Sequence, residues 1–279
     1  MRLRIFAIIA AATGLLISTT SVSAASEKFN PPKQYYLALG DSLAYGYQQG
    51  KFALQATTPP HQVSPASFPG YVGAFADKLE TLRPGIETFN FGCPGETTAS
   101  YFVGCHFSAV DGWPLHDPYA GSQEAAALDF LAARPGQVSP ITLDLGANDL
   151  IRCQTTPDPS CVPTTLAQVE ANLDRALGEI RSAAPNAEII VMTYYNPYAL
   201  AVQGSNEVTA ALNQAIMAAA AAHRVRVADA FTPINAGPAT LCALTLVCTP
   251  IHDIHASDAG YAVIAQQFWT ASGYGRLGG

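Results

Sequence analysis

The sequence predicts an α/β fold with a parallel sheet, because short apolar strands alternate along the chain with longer helical segments. Nearly half of the 279 residues are hydrophobic and only 13% are charged, which is typical of a chain that buries a large core. A glycine directly follows each of the first three strand-like runs, where a strand would turn into its connection. These observations predict one domain over residues 26–279, with a doubly wound sheet covered by helices on both faces.

Five apolar runs, each short and bounded by turn residues, are predicted to form the strands. In chain order they span residues 35–39, 86–91, 140–145, 188–193 and 225–228. Helices are predicted over residues 71–82, 123–133, 166–180, 206–223 and 257–271. Residues 48–67, which contain three prolines, are predicted to form a surface loop, and residues 100–121 a long irregular segment.

The first 24 residues have the pattern of a secretory signal peptide. Arg2 and Arg4 give a basic start, residues 5–17 are largely apolar, and residues 21–25 end in small side chains. The apolar run is short for a membrane-spanning helix of about 20 residues. We therefore expect cleavage after residue 24 or 25 and secretion, without a stable membrane anchor.

The charge of the chain argues against two classes of partner. The chain has 14 basic and 21 acidic residues, and loss of a leader that carries Arg2 and Arg4 would leave 12 basic residues and a net charge of −9. Such a chain is repelled by the phosphates of nucleic acids and by anionic membrane surfaces, so neither is an expected partner.

The stretch Leu-Gly-Asp-Ser-Leu-Ala-Tyr-Gly, residues 39–46, places Ser42 where the first strand ends and a turn or helix begins. Open α/β sheets bind ligands at this carboxyl edge, and free backbone N–H groups at a helix start favour negative charge. Ser42 is therefore a candidate nucleophile, although a serine that only caps a helix would give the same pattern.

The next two strand ends repeat this arrangement. The second strand leads to Gly95, which lets a backbone N–H approach a ligand closely, and the third leads to Asn148, which offers a side-chain amide. A turn glycine and a turn asparagine are the commoner uses of these residues. A doubly wound sheet can nevertheless place all three motifs side by side.

A stretch with two histidines, residues 251–261, precedes the last predicted helix. His255 lies before that helix start and is the candidate base, because histidine titrates near neutrality. His252, Asp253 and His255 are also residue types that bind zinc. We expect no metal, because the chain has no Cys-x-x-Cys and no further ligand cluster is visible.

These four stretches together resemble the GDSL or SGNH hydrolase superfamily, and the resemblance covers nearly the whole chain after the leader. It implies an SGNH hydrolase fold, a flavodoxin-like three-layer αβα sandwich whose five parallel strands run in the order 2-1-3-4-5. It also implies that Ser42 is the nucleophile and His255 the base. The N–H groups of Ser42 and Gly95, with the Asn148 side chain, would form an oxyanion hole, and no cofactor is expected.

The function that the resemblance implies is a secreted serine esterase or lipase, acting as a monomer on a small-molecule or lipid ester. A carbohydrate deacetylase or an acyltransferase would need the same machinery. A secreted binding protein that has lost turnover is a third possibility, against which the intact set of candidate residues argues. The sequence leaves the acyl and alcohol parts of the substrate open.

Two groups compete to orient His255. Most members of the superfamily have Asp-x-x-His, whereas this chain has His252 three residues before the base and Asp253 two residues before it. If residues 253–255 are extended, Asp253 can reach the ring; if they form the family's turn, the main-chain carbonyl of His252 accepts the ring N–H. The chain resembles a branch of secreted bacterial esterases that work as a Ser–His dyad, so we favour the carbonyl.

Six cysteines in an exported chain predict disulfides, and six cysteines allow 15 pairings. We expect the three sequential pairs, because each would hold a loop near a candidate site stretch. These pairs are Cys93–Cys105, Cys153–Cys161 and Cys242–Cys248. The dyad branch of the superfamily likewise has three disulfides.

Several aromatic residues follow predicted strand ends or lie in the long irregular segment. We expect some of them to line an apolar groove for an acyl chain at the sheet edge, although packing in the core is the commoner role of such side chains. The set consists of Tyr45, Tyr47, Phe107, Trp113, Tyr194 and Tyr195.

Overall fold

The computed structural model describes residues 30–59, 61–155 and 158–277, so the expected leader lies outside the described residues. Parallel strands form one sheet at the centre of the protein. They are β1 (Tyr35–Gly40), β2 (Glu87–Asn90), β3 (Val138–Asp144), β4 (Ile189–Thr193) and β5 (Arg226–Asp229). Their order across the sheet is β2-β1-β3-β4-β5, which confirms the predicted order.

Helices connect the strands and cover both faces of the sheet. They are α1 (Ser42–Tyr45), α2 (Gln49–Thr57), α3 (Gly70–Leu82), α4 (His106–Ala109), α5 (Gln123–Ala133), α6 (Ala147–Ile151), α7 (Cys161–Ala183), α8 (Ser205–Ala222), α9 (Phe231–Ile234), α10 (Pro238–Leu244) and α11 (Asp258–Ser272). Short 3₁₀ turns lie at Pro65–Ser67, Ser100–Phe102, Arg152–Thr155 and Tyr274–Arg276. α3 packs with α11 on one side of the sheet, and α5, α7 and α8 pack together on the other, which completes the predicted αβα sandwich.

None of the helices in the described part of the chain has both the length and the apolar character needed to cross a membrane.

The centre of the sheet determines where the candidate site forms. β1 pairs in parallel with β2 on one side and with β3 on the other, which sets Ala38 beside Asn90 and Gly40 beside Asp144. Almost all of β1 and the whole of β3 are buried, as is typical of central strands in a parallel sheet that helices cover on both faces. The connections that follow β1, β2 and β3 therefore start side by side at the carboxyl edge of the sheet.

Residues 48–67 differ from the predicted surface loop, because their first half forms α2. The prolines that indicated a loop begin only at Pro59, after this helix, and residues 49–57 contain several good helix formers. None of the nine residues of α2 is buried, so no strong apolar periodicity marks the helix in the sequence. Phe52 attaches it to the body of the protein through ring contacts with Phe68 and Trp113.

A second cluster of buried side chains lies beside the main core. Its members are Tyr45, Val63, Phe68, Cys93, Cys105, Phe107 and Leu115, and Tyr47, Phe52 and Trp113 pack against it. The expectation of an acyl groove is wrong for Tyr45, Phe107 and Trp113, because their rings pack together as this small core. These three side chains have the commoner, structural role of aromatic residues.

The three expected disulfides are present. Cys93–Cys105, Cys153–Cys161 and Cys242–Cys248 have Cα–Cα distances of 5.9, 5.7 and 5.2 Å. Each joins cysteines only 12, 8 or 6 residues apart and so closes a short loop. A loop of this size contributes about 2–3 kcal/mol of stability by restricting the unfolded chain.

Candidate active site

Ser42 begins α1 and is separated from β1 by Asp41 alone. Asp41 caps the helix, because its Oδ1 accepts a hydrogen bond from the N–H of Leu43 at 2.8 Å. The cap of this turn is therefore Asp41, and the Ser42 hydroxyl has no capping role. Gly40 makes the turn possible, since its φ is +144° and a Cβ there would overlap the Asp144 carboxylate.

The Ser42 hydroxyl faces the ring of His255. Its Oγ lies 2.9 Å from Nε2, and Nδ1 on the other side of the ring lies 2.5 Å from Oδ1 of Asp253. In the tautomer that satisfies both bonds, Nδ1–H donates to the carboxylate and Nε2 accepts the hydroxyl proton. The side chain of His255 is 14% exposed and that of Asp253 only 1%, so the bonds lead from a buried charge to the edge of a pocket.

Asp253, and not the carbonyl of His252, contacts the ring, which corrects the interpretation favoured from the sequence. Asp253 Oδ1 also accepts a hydrogen bond from the main-chain N–H of His255 at 3.1 Å. This bond forms an Asx-turn, in which an aspartate side chain accepts the backbone N–H two residues further along the chain. This turn brings carboxylate and ring together at a spacing of two residues. His252 has a left-handed backbone, with φ +49°, and its Nδ1 lies 3.0 Å from the carbonyl oxygen of Val247.

The Asp253 carboxylate keeps its charge although it is buried. Its Oδ2 accepts a 2.7 Å hydrogen bond from the N–H of Gln49, the first residue of α2. Burial alone would raise the pKa of Asp253, but hydrogen bonds from His255 and Gln49 and the charge of the His255 ring hold the pKa below its usual value. The helix α2, which the sequence did not predict, thus donates a free N–H of its first turn to the Asp253 carboxylate.

The remaining predicted site residues meet beside Ser42. Asn148 lies in the first turn of α6, and its Nδ2 is 2.9 Å from the carbonyl oxygen of Glu96 and 3.3 Å from Oδ2 of Asp41. The amide thus bridges the residue before Ser42 and the residue after Gly95. Gly95 has φ +81°, a left-handed conformation that a side chain would strain. Among the described residues, neither the Ser42 N–H nor the Gly95 N–H has a backbone acceptor.

Two buried aspartates lie next to the Ser42 turn. Asp41 accepts a hydrogen bond from the Tyr194 hydroxyl and Asp144 one from the Tyr71 hydroxyl, both at 2.7 Å. Burial raises the pKa of both carboxyls, and the charge of Asp41 raises the pKa of Asp144 further. Two negative charges at this place are therefore disfavoured, which limits the negative charge near Ser42. Asp144 was not singled out from the sequence, although an acid inside an apolar strand is a signal that could have identified it.

Two further buried polar residues join the site, and the sequence analysis missed both. Glu96 is 1% exposed, and its carboxylate accepts hydrogen bonds from the Ser100 hydroxyl and, at 3.3 Å, from Nε2 of Gln123. Burial raises the pKa of Glu96 to about 7, and the charges of the neighbouring Asp41 and Asp149 add to the rise. The hydrogen bonds from Ser100 and Gln123 lower the pKa, but their effect is smaller. Gln123 is 0% exposed, and its sequence signal is only a polar residue at a helix start.

An apolar cavity of ≈ 390 Å³ opens next to these residues. It adjoins a smaller pocket that contains Ser42 and His255, because Tyr194 and Tyr195 line both. Both tyrosines are members of the expected aromatic groove. The aliphatic lining consists of Leu150, Ile151, Val162, Val202, Val208, Leu212 and Ile254.

Among the described residues, His252, Asp253 and His255 do not form a compact group of three ligands for a zinc ion. Within the described residues, the group of three ligand-type side chains whose atoms all lie within 4.8 Å of one another consists of Cys93, Glu96 and Cys105. The two sulfur atoms of that set are bonded to each other in a disulfide, so neither is a thiolate that could bind a metal ion.

Glu96 should make a measurable contribution to the pH dependence of stability. A carboxyl whose pKa is raised in the folded state stabilises the protein at acidic pH, and this contribution is lost as the pH rises through the folded-state pKa of about 7. We therefore expect the free energy of unfolding of the wild type to fall, relative to that of Glu96→Gln, from about pH 4.5 to about pH 7 and to level off above. Urea unfolding over this range measures it, with Glu170→Gln on the exposed side of α7 as the control. A difference that does not vary with pH would contradict the titration.

Solved structures with the same fold include three hydrolases. A lipase from a goat rumen metagenome is 17% identical, with a TM-score of 0.59 over 87% of this chain and 99% of that one. An acetylxylan esterase from Geobacillus stearothermophilus is 18% identical, with a TM-score of 0.56 over 88% and 97% of the two chains. An α/β hydrolase from the metagenome of Lake Arreo, Spain, is 18% identical, with a TM-score of 0.57 over 87% and 96%. A search of curated protein sequences returned no match.

The sequence also matches a protein family as a whole. The GDSL-like lipase/acylhydrolase family model matches residues 38–263, which is more than half of the chain and includes every candidate site residue from Ser42 to His255. The order of the sheet and the structural likenesses agree with this match. The chain therefore belongs to the GDSL-like lipase/acylhydrolase family and is an esterase-type hydrolase.

Proposed function

We propose that the protein is a secreted serine esterase that cleaves carboxylic esters through an acyl-enzyme on Ser42. The observation that carries the proposal is the line of hydrogen bonds from the Asp253 carboxylate through His255 to the Ser42 hydroxyl, at 2.5 and 2.9 Å. A serine hydroxyl is a poor nucleophile until an adjacent base takes its proton, and this arrangement supplies an oriented base. The leader-like residues 1–24 and the three disulfides support an extracellular location.

The reaction has two halves. His255 Nε2 takes the Ser42 proton as Oγ attacks the ester carbonyl carbon, and Asp253 stabilises the imidazolium that forms. The tetrahedral intermediate then expels the alcohol, which receives the proton from His255 and leaves the acyl group on Oγ. In the second half His255 takes a proton from water, the hydroxide attacks the acyl carbon, and Ser42 regains its proton as the acid is released.

Three donors are proposed to stabilise the negative oxygen of the two tetrahedral intermediates: the N–H groups of Ser42 and Gly95 and the side-chain amide of Asn148. The two N–H groups have no backbone acceptor among the described residues, so they are available to a ligand. The longer hydrogen bond of Asn148, at 3.3 Å to Asp41, is the one that its amide would exchange for the substrate oxygen. One such donor lowers the barrier by about 3 kcal/mol.

The aliphatic cavity beside Ser42 is proposed to receive the acyl chain. Its volume of ≈ 390 Å³ falls within the range of small-molecule sites, about 300–1,000 Å³. Leu150 of α6 and Val208 of α8 belong to its apolar wall, and each methylene buried there is worth about 0.8 kcal/mol. The cavity therefore favours esters with an acyl chain of several carbons over acetyl esters.

A carbohydrate deacetylase is the second candidate, because an acetylxylan esterase shares the fold. The cavity argues against it, since an acetyl group would leave most of the apolar wall unused. An acyltransferase would differ only in that an alcohol, in place of water, attacks the acyl-enzyme. A binding protein without turnover is disfavoured, because the hydrogen bond between Ser42 and His255 is intact.

The proposal predicts covalent labelling of one serine. A nitrophenyl alkylphosphonate should add one phosphonyl group to Ser42, detected by peptide mass spectrometry, and should stop hydrolysis of nitrophenyl butyrate. Ser42→Ala should take up no label and lose about 10⁶-fold in kcat, because no other group supplies the nucleophile. Ser182→Ala on α7 is the control and should behave as the wild type. A folded wild type that is neither labelled nor active would overturn the proposal in favour of a binding protein.

The cavity predicts a dependence on acyl length. Val208→Trp should lower kcat/KM for an octanoyl ester by about tenfold or more relative to an acetyl ester, because each methylene excluded from the cavity costs about 0.8 kcal/mol, roughly fourfold. Met217→Trp is the control on the same helix, since Met217 is 43% exposed and does not line the cavity. Equal losses on the two esters would place the acyl chain elsewhere, and a strong wild-type preference for acetyl would favour the deacetylase.

A further inference from the structure

Gln123 binds the main chain just before the proposed nucleophile. Its Oε1 accepts the N–H of Gly40 at 2.6 Å, and its Nε2 donates to the carbonyl oxygen of Gly40 at 3.0 Å. The side-chain amide thus makes the two bonds that a residue of a paired antiparallel strand would make. Gly40 lies two residues before Ser42, and its carbonyl oxygen also accepts the N–H of Cys93 at 3.0 Å. The Gln123 pairing therefore helps to fix the point at which the chain leaves β1 and turns into α1.

The same side chain reaches the loop that carries Gly95. Nε2 of Gln123 lies 3.3 Å from Oε2 of Glu96, the residue that follows Gly95. The carbonyl oxygen of Glu96 in turn accepts Nδ2 of Asn148 at 2.9 Å. One buried amide therefore connects the turn of the nucleophile with the loop of the oxyanion donors.

We propose that Gln123 is a positioning residue, which holds the Ser42 turn and the Gly95 loop at a fixed separation for the ester hydrolysis proposed above, on which this inference rests. Gln123 touches no reacting atom. Its effect is on geometry, because an oxyanion must lie about 2.7–3.1 Å from its donors while Oγ reaches the carbonyl carbon. A displacement of about 1 Å between the two segments would cost on the order of 100-fold in rate.

The chemistry of position 123 requires an amide. An amide offers an acceptor and two donor hydrogens. Gln123 is 0% exposed, and its Oε1 and Nε2 make hydrogen bonds with three atoms: the nitrogen and oxygen of Gly40 and Oε2 of Glu96. A glutamate could accept the N–H of Gly40, but it would have no donor for the Gly40 carbonyl and would place a second carboxylate against Glu96. A leucine would fill a similar volume and make none of these bonds.

A purely structural role is the competing explanation, and the chain contains a matched example of it. Asn235 makes the same two-bond pairing with the main chain of Asn196, accepting its N–H at 2.8 Å and donating to its carbonyl oxygen at 3.0 Å. Asn196 follows β4 and lines the acyl cavity, which an acetyl ester does not fill, and it belongs to neither the Ser42 turn nor the Gly95 loop. Loss of the Asn235 pairing therefore removes an equivalent pair of bonds without separating those two segments.

The test compares Gln123→Leu, Gln123→Glu and Asn235→Leu with the wild type on nitrophenyl acetate, which does not fill the acyl cavity. Each protein is first shown to unfold cooperatively on heating. We expect both Gln123 variants to lose about 10- to 100-fold in kcat with KM changed by less than about threefold, since orientation and not ground-state binding is lost. Asn235→Leu should unfold at a lower temperature and keep kcat within about twofold of the wild type.

Wild-type kcat in either folded Gln123 variant would overturn the positioning role, and so would an equal loss of kcat in Asn235→Leu. If Gln123→Leu does not fold, Gln123→Glu, which keeps the shape of the side chain, carries the test. Failure of both to fold would make the role structural and overturn the proposal. A wild type that is neither active nor labelled at Ser42 would instead overturn the proposed function, so the two failures are distinguishable.

Discussion

The hydrogen bond between the Asp253 carboxylate and the His255 ring is the interaction on which the rest of the site depends. It determines which ring nitrogen faces Ser42, and it sets a charge in a position that is only 1% exposed. A buried charge without partners would cost about 3–5 kcal/mol, and here the backbone and ring of His255 and the N–H of Gln49 satisfy it. The loop that carries Asp253 and His255 and the helix α2 therefore stabilise each other through this buried charge.

The parallel sheet brings the other half of the site together, and this arrangement has a cost in stability. The ends of β1, β2 and β3 lie side by side, so the buried carboxyls of Asp41, Asp144 and Glu96 crowd into one region. Burial raises the pKa of each, which means that every one of them opposes folding once it is ionised. Hydrogen bonds from Tyr71, Tyr194 and neighbouring groups offset part of that cost. Active sites commonly give up stability in this way.

The parts of the site that could be predicted from the sequence are those marked by local patterns. Ser42 follows a strong strand signal and His255 precedes a helix, so the type of each element indicated the place of each side chain. The disulfides could be predicted because each joins cysteines no more than 12 residues apart. One member of each pair also lies near a candidate site stretch, and the resemblance to a branch with three disulfides pointed the same way.

The parts that could not be predicted depend on contacts between distant segments. The choice between the Asp253 carboxylate and the His252 carbonyl rests on one turn and on an N–H of α2 that is 204 residues away. Gln123 lies 83 residues from Gly40 and 27 from Glu96, and nothing in a helix that begins with glutamine indicates either partner. Trp113 and Phe107 had the chemistry for an acyl groove, but the packing of α2 and the Cys93–Cys105 loop made them part of a small core.

Whether Asp253 orients His255 is tested most directly by kcat of Asp253→Asn at neutral pH. The comparison is His252→Gly, which keeps the main-chain carbonyl and suits the left-handed backbone at that position. We predict a loss approaching 10⁴-fold for Asp253→Asn, with the fold retained, because an asparagine cannot stabilise the imidazolium and favours the wrong tautomer. His252→Gly should stay close to the wild type. A loss of less than about tenfold in Asp253→Asn would contradict the triad and restore a Ser–His dyad whose ring is held by a main-chain carbonyl.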